Sequence, residues 1–102
     1  MYTIIVEKRV ERFIKGLQKS SQGKIVRLKK LMVEYGGNLG MPHSKMLSRR
    51  LYELRVRGKQ EIRIFYTSVD HRVILFHGFI KKTYRTPKRE LELANKILKA
   101  IV

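Results

Sequence analysis

Apolar positions recur along this chain at two spacings, and the change from one to the other separates a helical first half from an extended second half. Thr3-Ile4-Ile5-Val6 is a β-branched run that predicts an opening strand. Val10, Phe13, Ile14 and Leu17 then fall at i, i+3, i+4 and i+7, the stripe of an amphipathic helix. Ser20-Ser21-Gln22-Gly23 interrupts that stripe, and Ile25, Leu28, Leu31, Met32 and Tyr35 resume it until Gly36-Gly37, where a helix is expected to stop. The two segments predict a helical hairpin. Residues 38–50 (NLGMPHSKMLSRR) follow neither period and contain Gly40 and Pro42, which predicts an exposed connection.

From Leu51 the period is two. Tyr52, Leu54 and Val56 alternate with Glu53, Arg55 and Arg57, and Ile62, Ile64 and Tyr66 alternate with Glu61, Arg63, Phe65 and Thr67. Two half-buried strands are expected, joined through Gly58-Lys59-Gln60 as a hairpin. Ser68 to His71 suggests a turn, and the following RVILFHGFIK (72–81) is apolar on both faces, as in a strand covered on both sides. Thr86-Pro87 offers an N-cap followed by proline, and Leu91, Ala94, Leu98 and Ile101 mark one face of a last helix. The order β-α-α-β-β-β-α predicts an α+β fold, with a mainly antiparallel sheet and the hairpin on one face.

A chain of 102 residues suits a single domain spanning 1–102. No stretch approaches the roughly 18 apolar residues of a membrane-spanning helix. The N-terminus becomes charged too early for a secretory signal, and there is no cysteine, so a cytoplasmic location is expected. The charge changes the picture most: 24 Lys and Arg against 8 Asp and Glu give +16. It is uneven, at +6 over residues 1–44, +10 over 45–89 and zero over 90–102. Self-repulsion on this scale points to an anionic partner, which composition leaves open as RNA, DNA or an acidic protein.

Candidate chemistry follows from the hairpin. If Arg57 pairs with Glu61 around the three-residue loop, Arg55 lies opposite Arg63 and Glu53 opposite Phe65. Two guanidinium groups facing each other repel, so a phosphate between them is one reading. The other is that Glu53 neutralises Arg55 as an inconsequential surface ion pair. Downstream, Lys81-Lys82-Thr83-Tyr84-Arg85-Thr86-Pro87-Lys88-Arg89 brings basic side chains to a helix N-terminus, where phosphate is favoured and cations alone are not. Tyr84 is either a ring for base stacking or a partly exposed packing aromatic. RNA supplies its own nucleophile, because a deprotonated 2′-hydroxyl attacks the adjacent phosphate while cations stabilise the phosphorane, and such chemistry needs no metal. Three isolated histidines and few carboxylates match no metal-ligand spacing, and no cofactor motif is present. His77, inside the two-sided apolar strand, is a general-base candidate by residue type and a buried structural histidine by position.

LYELR (51–55), EIRIFY (61–66) and LFHGFIKKTYRTPKRELELA (75–94) resemble the RelE/HigB superfamily of bacterial toxins, especially its phage-related HigB-like branch. The resemblance implies the same fold and a ribosome-dependent mRNA endonuclease that inhibits translation. It also implies an antitoxin partner with a helix-turn-helix DNA-binding domain. Arg55, Arg63, Lys81 and Lys82 are the implied catalytic positions; Arg57, Lys59, Arg85 and Lys88, basic side chains nearby, are candidate RNA-binding residues. Several relatives use a tyrosine or histidine near the C-terminus for proton transfer, and none follows Tyr84 here. Tyr84, Tyr66, His77, a lysine or a ribosomal group remain candidates. Two other functions share the fold or the charge: a ParE-like DNA gyrase inhibitor without nuclease activity, and a non-catalytic RNA- or ribosome-binding protein.

Overall fold

A computed structural model describes residues 1–101; Val102, the last residue of the expected domain, lies outside the described residues. The elements are β1 (Thr3–Val6), α1 (Lys8–Lys15), α2 (Lys19–Tyr35), β2 (Ser44–Ser48), β3 (Leu51–Val56), β4 (Ile62–Val69), β5 (Arg72–Ile80) and α3 (Lys88–Ile101). They form one sheet in the order β1-β5-β4-β3-β2, antiparallel throughout except where β1 runs parallel to β5. The α+β fold and mainly antiparallel sheet agree with the sequence patterns.

Three boundaries differ from expectation. The helical break falls at Gly16-Leu17-Gln18, and Ser20 to Gly23 are instead the first turns of α2. Leu17, which continues the α1 stripe, is buried at the corner between the helices, and the Gln22 amide closes that corner by donating to the Leu17 carbonyl at 2.9 Å. The connection 38–50 contains an additional edge strand, β2, with a register shift between Met46 and Ser48. The shift and the exposure of both faces erase the alternation: Met46 is largely exposed and only Ser44 is buried. Finally, α3 starts after Pro87, whose carbonyl accepts the first helical bonds from Glu90 and Leu91, so Thr86 is not its side-chain cap.

The sheet is covered on both sides. Val10, Ile25, Leu28 and Met32 from α1 and α2 meet Leu54, Val56, Ile62, Ile64, Tyr66, Val73 and Leu75. On the opposite face Ala94 and Leu98 of α3 meet Leu51, Phe65, Phe76 and Phe79. This second core buries the alternate residues of β3 and β4 that period-two reasoning assigned to solvent. Gly36 ends α2 at φ 76°, and a Cβ there would come within 2.7 Å of the Tyr2 ring. Asp70 and His71, both at positive φ, close a tight turn between β4 and β5.

Candidate nucleic-acid site on the α3 face

The β3–β4 ladder places Arg55 opposite Arg63 and Glu53 opposite Phe65, while β4–β5 pairing places Phe65 opposite His77 and Arg63 opposite Phe79. Between Tyr66↔Leu75 and Phe65↔His77, Phe76 is an extra residue on β5. That bulge lets Phe76 and His77 both serve the α3 side, since Phe76 joins the second core and His77 bonds to Glu90 of α3. One face therefore carries Glu53, Phe65 and His77 in one row and Arg55, Arg63 and Phe79 in the next.

Glu53 is the hub of this face. Only 1% of its surface is exposed, its Oε1 lies 3.2 Å from Arg55 Nε and 3.7 Å from Arg63 Nε, and its Oε2 accepts from the Thr86 hydroxyl at 3.1 Å. The surface-ion-pair reading is thereby corrected: the carboxylate is interior and serves both arginines. Sequence inspection placed Glu53 on the stripe facing Phe65, which was the available signal, but the helix that buries it and the threonine that holds it come from far along the chain.

Arg63 is itself 2% exposed; its Nη1 donates to the Ile62 carbonyl at 3.0 Å and its Nη2 to Glu61 Oε1 at 3.4 Å. Its Nε has no hydrogen-bond partner, because Glu53 stands just beyond reach. A buried donor left open costs stability and is unusual in a folded interior. Arg55 has the more accessible side chain, at 15%. The structure thus brings the two arginines together with a carboxylate between them, one cation nearly enclosed and the other mostly buried with an accessible edge.

The remaining candidates divide into those that border this cluster and those that do not. Lys81 is half-buried, its N–H donating to the Glu61 carbonyl at 2.7 Å, so it lies beside the start of β4. Lys82, Tyr84, Arg85 and Lys88 are exposed on the segment entering α3, as are Arg57 and Lys59 on the hairpin between β3 and β4. Tyr84 is 94% exposed and packs against nothing substantial, which removes the packing-aromatic reading. His77 is buried, with Nε2 2.8 Å from Glu90 Oε1 and its ring stacked on Phe65 and Phe79. Glu90 as its partner had no local signal in the sequence.

Tyr66 is not part of the cluster. It points to the α1–α2 side, is fully buried, stacks on Tyr52 and donates its hydroxyl to the Gly37 carbonyl at 2.5 Å. Burial pushes its phenol up to about 12, with a smaller contribution from Tyr52 and partly opposed by a hydrogen bond with Ser44. A phenol so placed is closed to an RNA strand on the other face. Among the described residues no group of three or more His, Cys, Asp or Glu could hold a metal ion, and no helix is long and apolar enough to cross a membrane.

A five-stranded sheet sandwiched between a helical pair and a C-terminal helix, with basic side chains gathered around β3, β4 and the entry to α3, defines a protein of RelE-like fold. The chain belongs to the family described as phage derived protein Gp49-like (DUF891), whose model matches residues 12–99, a family of the RelE/HigB toxin type. Among solved structures, a chain of the YoeB–YefM complex from Staphylococcus aureus is similar, with a TM-score of 0.56 and 20% identity. That similarity covers 82% of this chain and 99% of the other, and it concerns the fold. No curated protein matches this chain.

Proposed function

We propose that this protein is the toxin of a toxin–antitoxin pair and acts as a ribosome-dependent mRNA endonuclease that inhibits translation in the cytoplasm. The observation that carries the reading is the Arg55/Arg63 pair on one sheet face beside Lys81 and the basic segment 82–88. Family membership and the solved YoeB–YefM complex support a toxin with a protein antitoxin, for which a helix-turn-helix DNA-binding protein is the expected form.

In this mechanism the 2′-oxygen of a ribose attacks the adjacent phosphorus, its proton leaves to a base, the bond to the 5′-oxygen breaks, and an acid protonates that oxygen. Arg55 contacts the phosphate as negative charge accumulates on it, and Lys81 and Lys82 add to the field. Arg63 supplies a fixed positive charge beneath Arg55. Being 2% exposed, it acts through its charge and through the carboxylate it shares with Arg55, not by touching the phosphate. Tyr84 stacks an unpaired base, and Arg57, Lys59, Arg85 and Lys88 grip flanking phosphates. Proton transfer falls to exposed groups of the segment 82–88 or of the ribosome, because Tyr66 faces the other core and the Nε2 of His77 is engaged by Glu90.

The test is inducible expression with mapping of transcript 5′ ends, repeated with Arg55→Ala. Codon-associated cuts that vanish in the variant are expected. Intact transcripts with DNA damage would transfer the reading to gyrase inhibition, and harmless expression would leave a simple RNA- or ribosome-binding protein.

A further inference from the structure

Residues 82–85, which carry the chain from β5 toward α3, are exposed, and among the described residues they form no hydrogen bond or ion pair with any other part of the chain. Their bond is internal, from the Thr83 hydroxyl to the Arg85 carbonyl at 2.6 Å. Where the segment lies is therefore set by what holds its two ends. At the start, the Lys81 N–H donates to the Glu61 carbonyl at 2.7 Å. At the far end two side chains reach the sheet: Thr86 donates to Glu53 Oε2 at 3.1 Å, and Glu90 Oε1 lies 2.8 Å from His77 Nε2.

The second of these anchors joins a rigid point to a loose one. The His77 ring lies between Phe65, its cross-strand partner, and Phe79, two residues along β5, with ring centroids 6.1 and 6.0 Å away and interplanar angles of 26° and 27°. Packing on both sides holds the imidazole in orientation, so its Nε2 is a fixed point on the α3 face. Glu90 sits in the first turn of α3, ahead of the main apolar packing: Leu91 is partly buried, and Ala94 is the first residue of the helix to be fully enclosed. Glu90 is also the only carboxylate between Lys81 and Leu91, in the company of five Lys and Arg residues. Coulomb attraction alone would set it against one of them at the surface. Instead its side chain is 18% exposed and its partner is His77.

We propose that His77 and Glu90 are positioning residues for the RNA grip. Their bond fastens the first turn of α3 to β5, which holds Tyr84, Arg85 and Lys88 on the side of the sheet that carries Arg55, and it keeps the Glu90 carboxylate from neutralising those cations. Neither residue touches RNA. The inference rests on the reading of 82–88 as an RNA-binding segment and adds to it the pair that orders that segment. A purely electrostatic role for Glu90 predicts the opposite sign, because removing a carboxylate from a cationic surface strengthens its attraction to phosphate. Loss of alignment weakens binding instead, since the ordering cost then falls on the RNA complex.

The test reads the anisotropy of a fluorescent 2′-O-methyl RNA oligonucleotide, which cannot be cleaved, at a salt concentration of about 0.15 M. Glu90→Ala is expected to weaken binding about tenfold, the scale of losing one stacked base, and Glu90→Gln, which can still bond the imidazole, to stay within about twofold of the parent. His77→Phe keeps a ring between Phe65 and Phe79 and should match Glu90→Ala. Glu92→Ala removes the same charge from an exposed site on α3 and should leave binding unchanged or slightly tighter. Because Glu90 acts through the segment, adding Glu90→Ala to Tyr84→Ala should cost little more than Tyr84→Ala alone. Amide exchange at Leu91, whose N–H donates to the Pro87 carbonyl, should quicken in His77→Phe while Ala94 and Leu98 stay protected. Tighter binding in Glu90→Ala, losses that multiply in the double variant, or unchanged exchange at Leu91 would overturn the proposal. RNA binding that depends on Tyr84 but not on Glu90 or His77 would overturn this inference alone, whereas a parent that does not bind the oligonucleotide would take the RNA reading down with it.

Discussion

Thr86 donates its hydroxyl to Glu53 Oε2 at 3.1 Å, and through that bond the basic segment before α3 is fastened to the strand that carries Arg55. The same carboxylate steadies both arginines, so one buried group sets the spacing between the sheet cations and the loop cations. Each consequence can be measured.

Arg55→Ala is expected to lose transcript cleavage by about 10²-fold, the scale of removing one charge-stabilising donor from a transition state, and to unfold at a lower temperature because it leaves the buried Glu53 without its nearer cation. Cleavage rates on programmed ribosomes, alongside the unfolding temperature, check it. A variant within twofold of the parent would remove Arg55 from the chemistry.

Arg63→Ala should fail twice. It removes the second cation and leaves Glu53 buried without its full complement of charge, which costs roughly 3 kcal/mol or more when a buried pair is broken. Denaturant titration should show a lowered midpoint in Arg63→Ala and in Arg55→Ala alike, since both cations face the same buried carboxylate.

Glu53→Gln keeps a hydrogen-bond acceptor for Thr86 but removes the anion that competes with phosphate. Binding of an uncleavable RNA should tighten several-fold while the cleavage rate falls, because the arginines are freer and less well aligned. Weaker RNA binding together with an unchanged rate would count against Glu53 as the organiser of the pair.

Tyr84 has no packing role to lose, since it is 94% exposed. Tyr84→Phe should therefore retain cleavage, whereas Tyr84→Ala should raise the KM for RNA by about tenfold, within the range measured for base–aromatic stacking. Loss of activity in Tyr84→Phe would instead assign the phenol to proton transfer.

Tyr66 ties β4 to Gly37 through its hydroxyl, so Tyr66→Phe should cost about 1 kcal/mol without affecting cleavage. Its phenol titrates near 10 when unfolded and at about 12 in the native protein, so the folded state retains the proton more strongly. The stabilisation is complete below pH 10 and disappears as pH rises through 12. The stability gap between parent and Tyr66→Phe should accordingly narrow across that interval in urea titrations.

The sequence by itself determined what depends on spacing between near neighbours. A period of two on either side of Gly58-Lys59-Gln60 allows only one pairing that keeps Leu54, Val56, Ile62 and Ile64 together, and that pairing sets Arg55 against Arg63. The apolar run of β5 likewise marks a strand flanked on both sides, as its place between β1 and β4 bears out. The net charge and the helical stripes are equally local.

Only the tertiary structure decided which side of each strand is interior. Once α3 folds over the face bearing Phe65 and Phe76, Glu53 and Arg63 cease to be surface groups, Thr86 bonds to Glu53 instead of capping α3, and His77 acquires Glu90. Those partners lie 13 to 33 residues apart, and no period carries across such distances. The edge strand β2 was invisible for a related reason. Its five residues are held by backbone pairing to β3, which any side chains can provide, so SKMLS shows no pattern of its own.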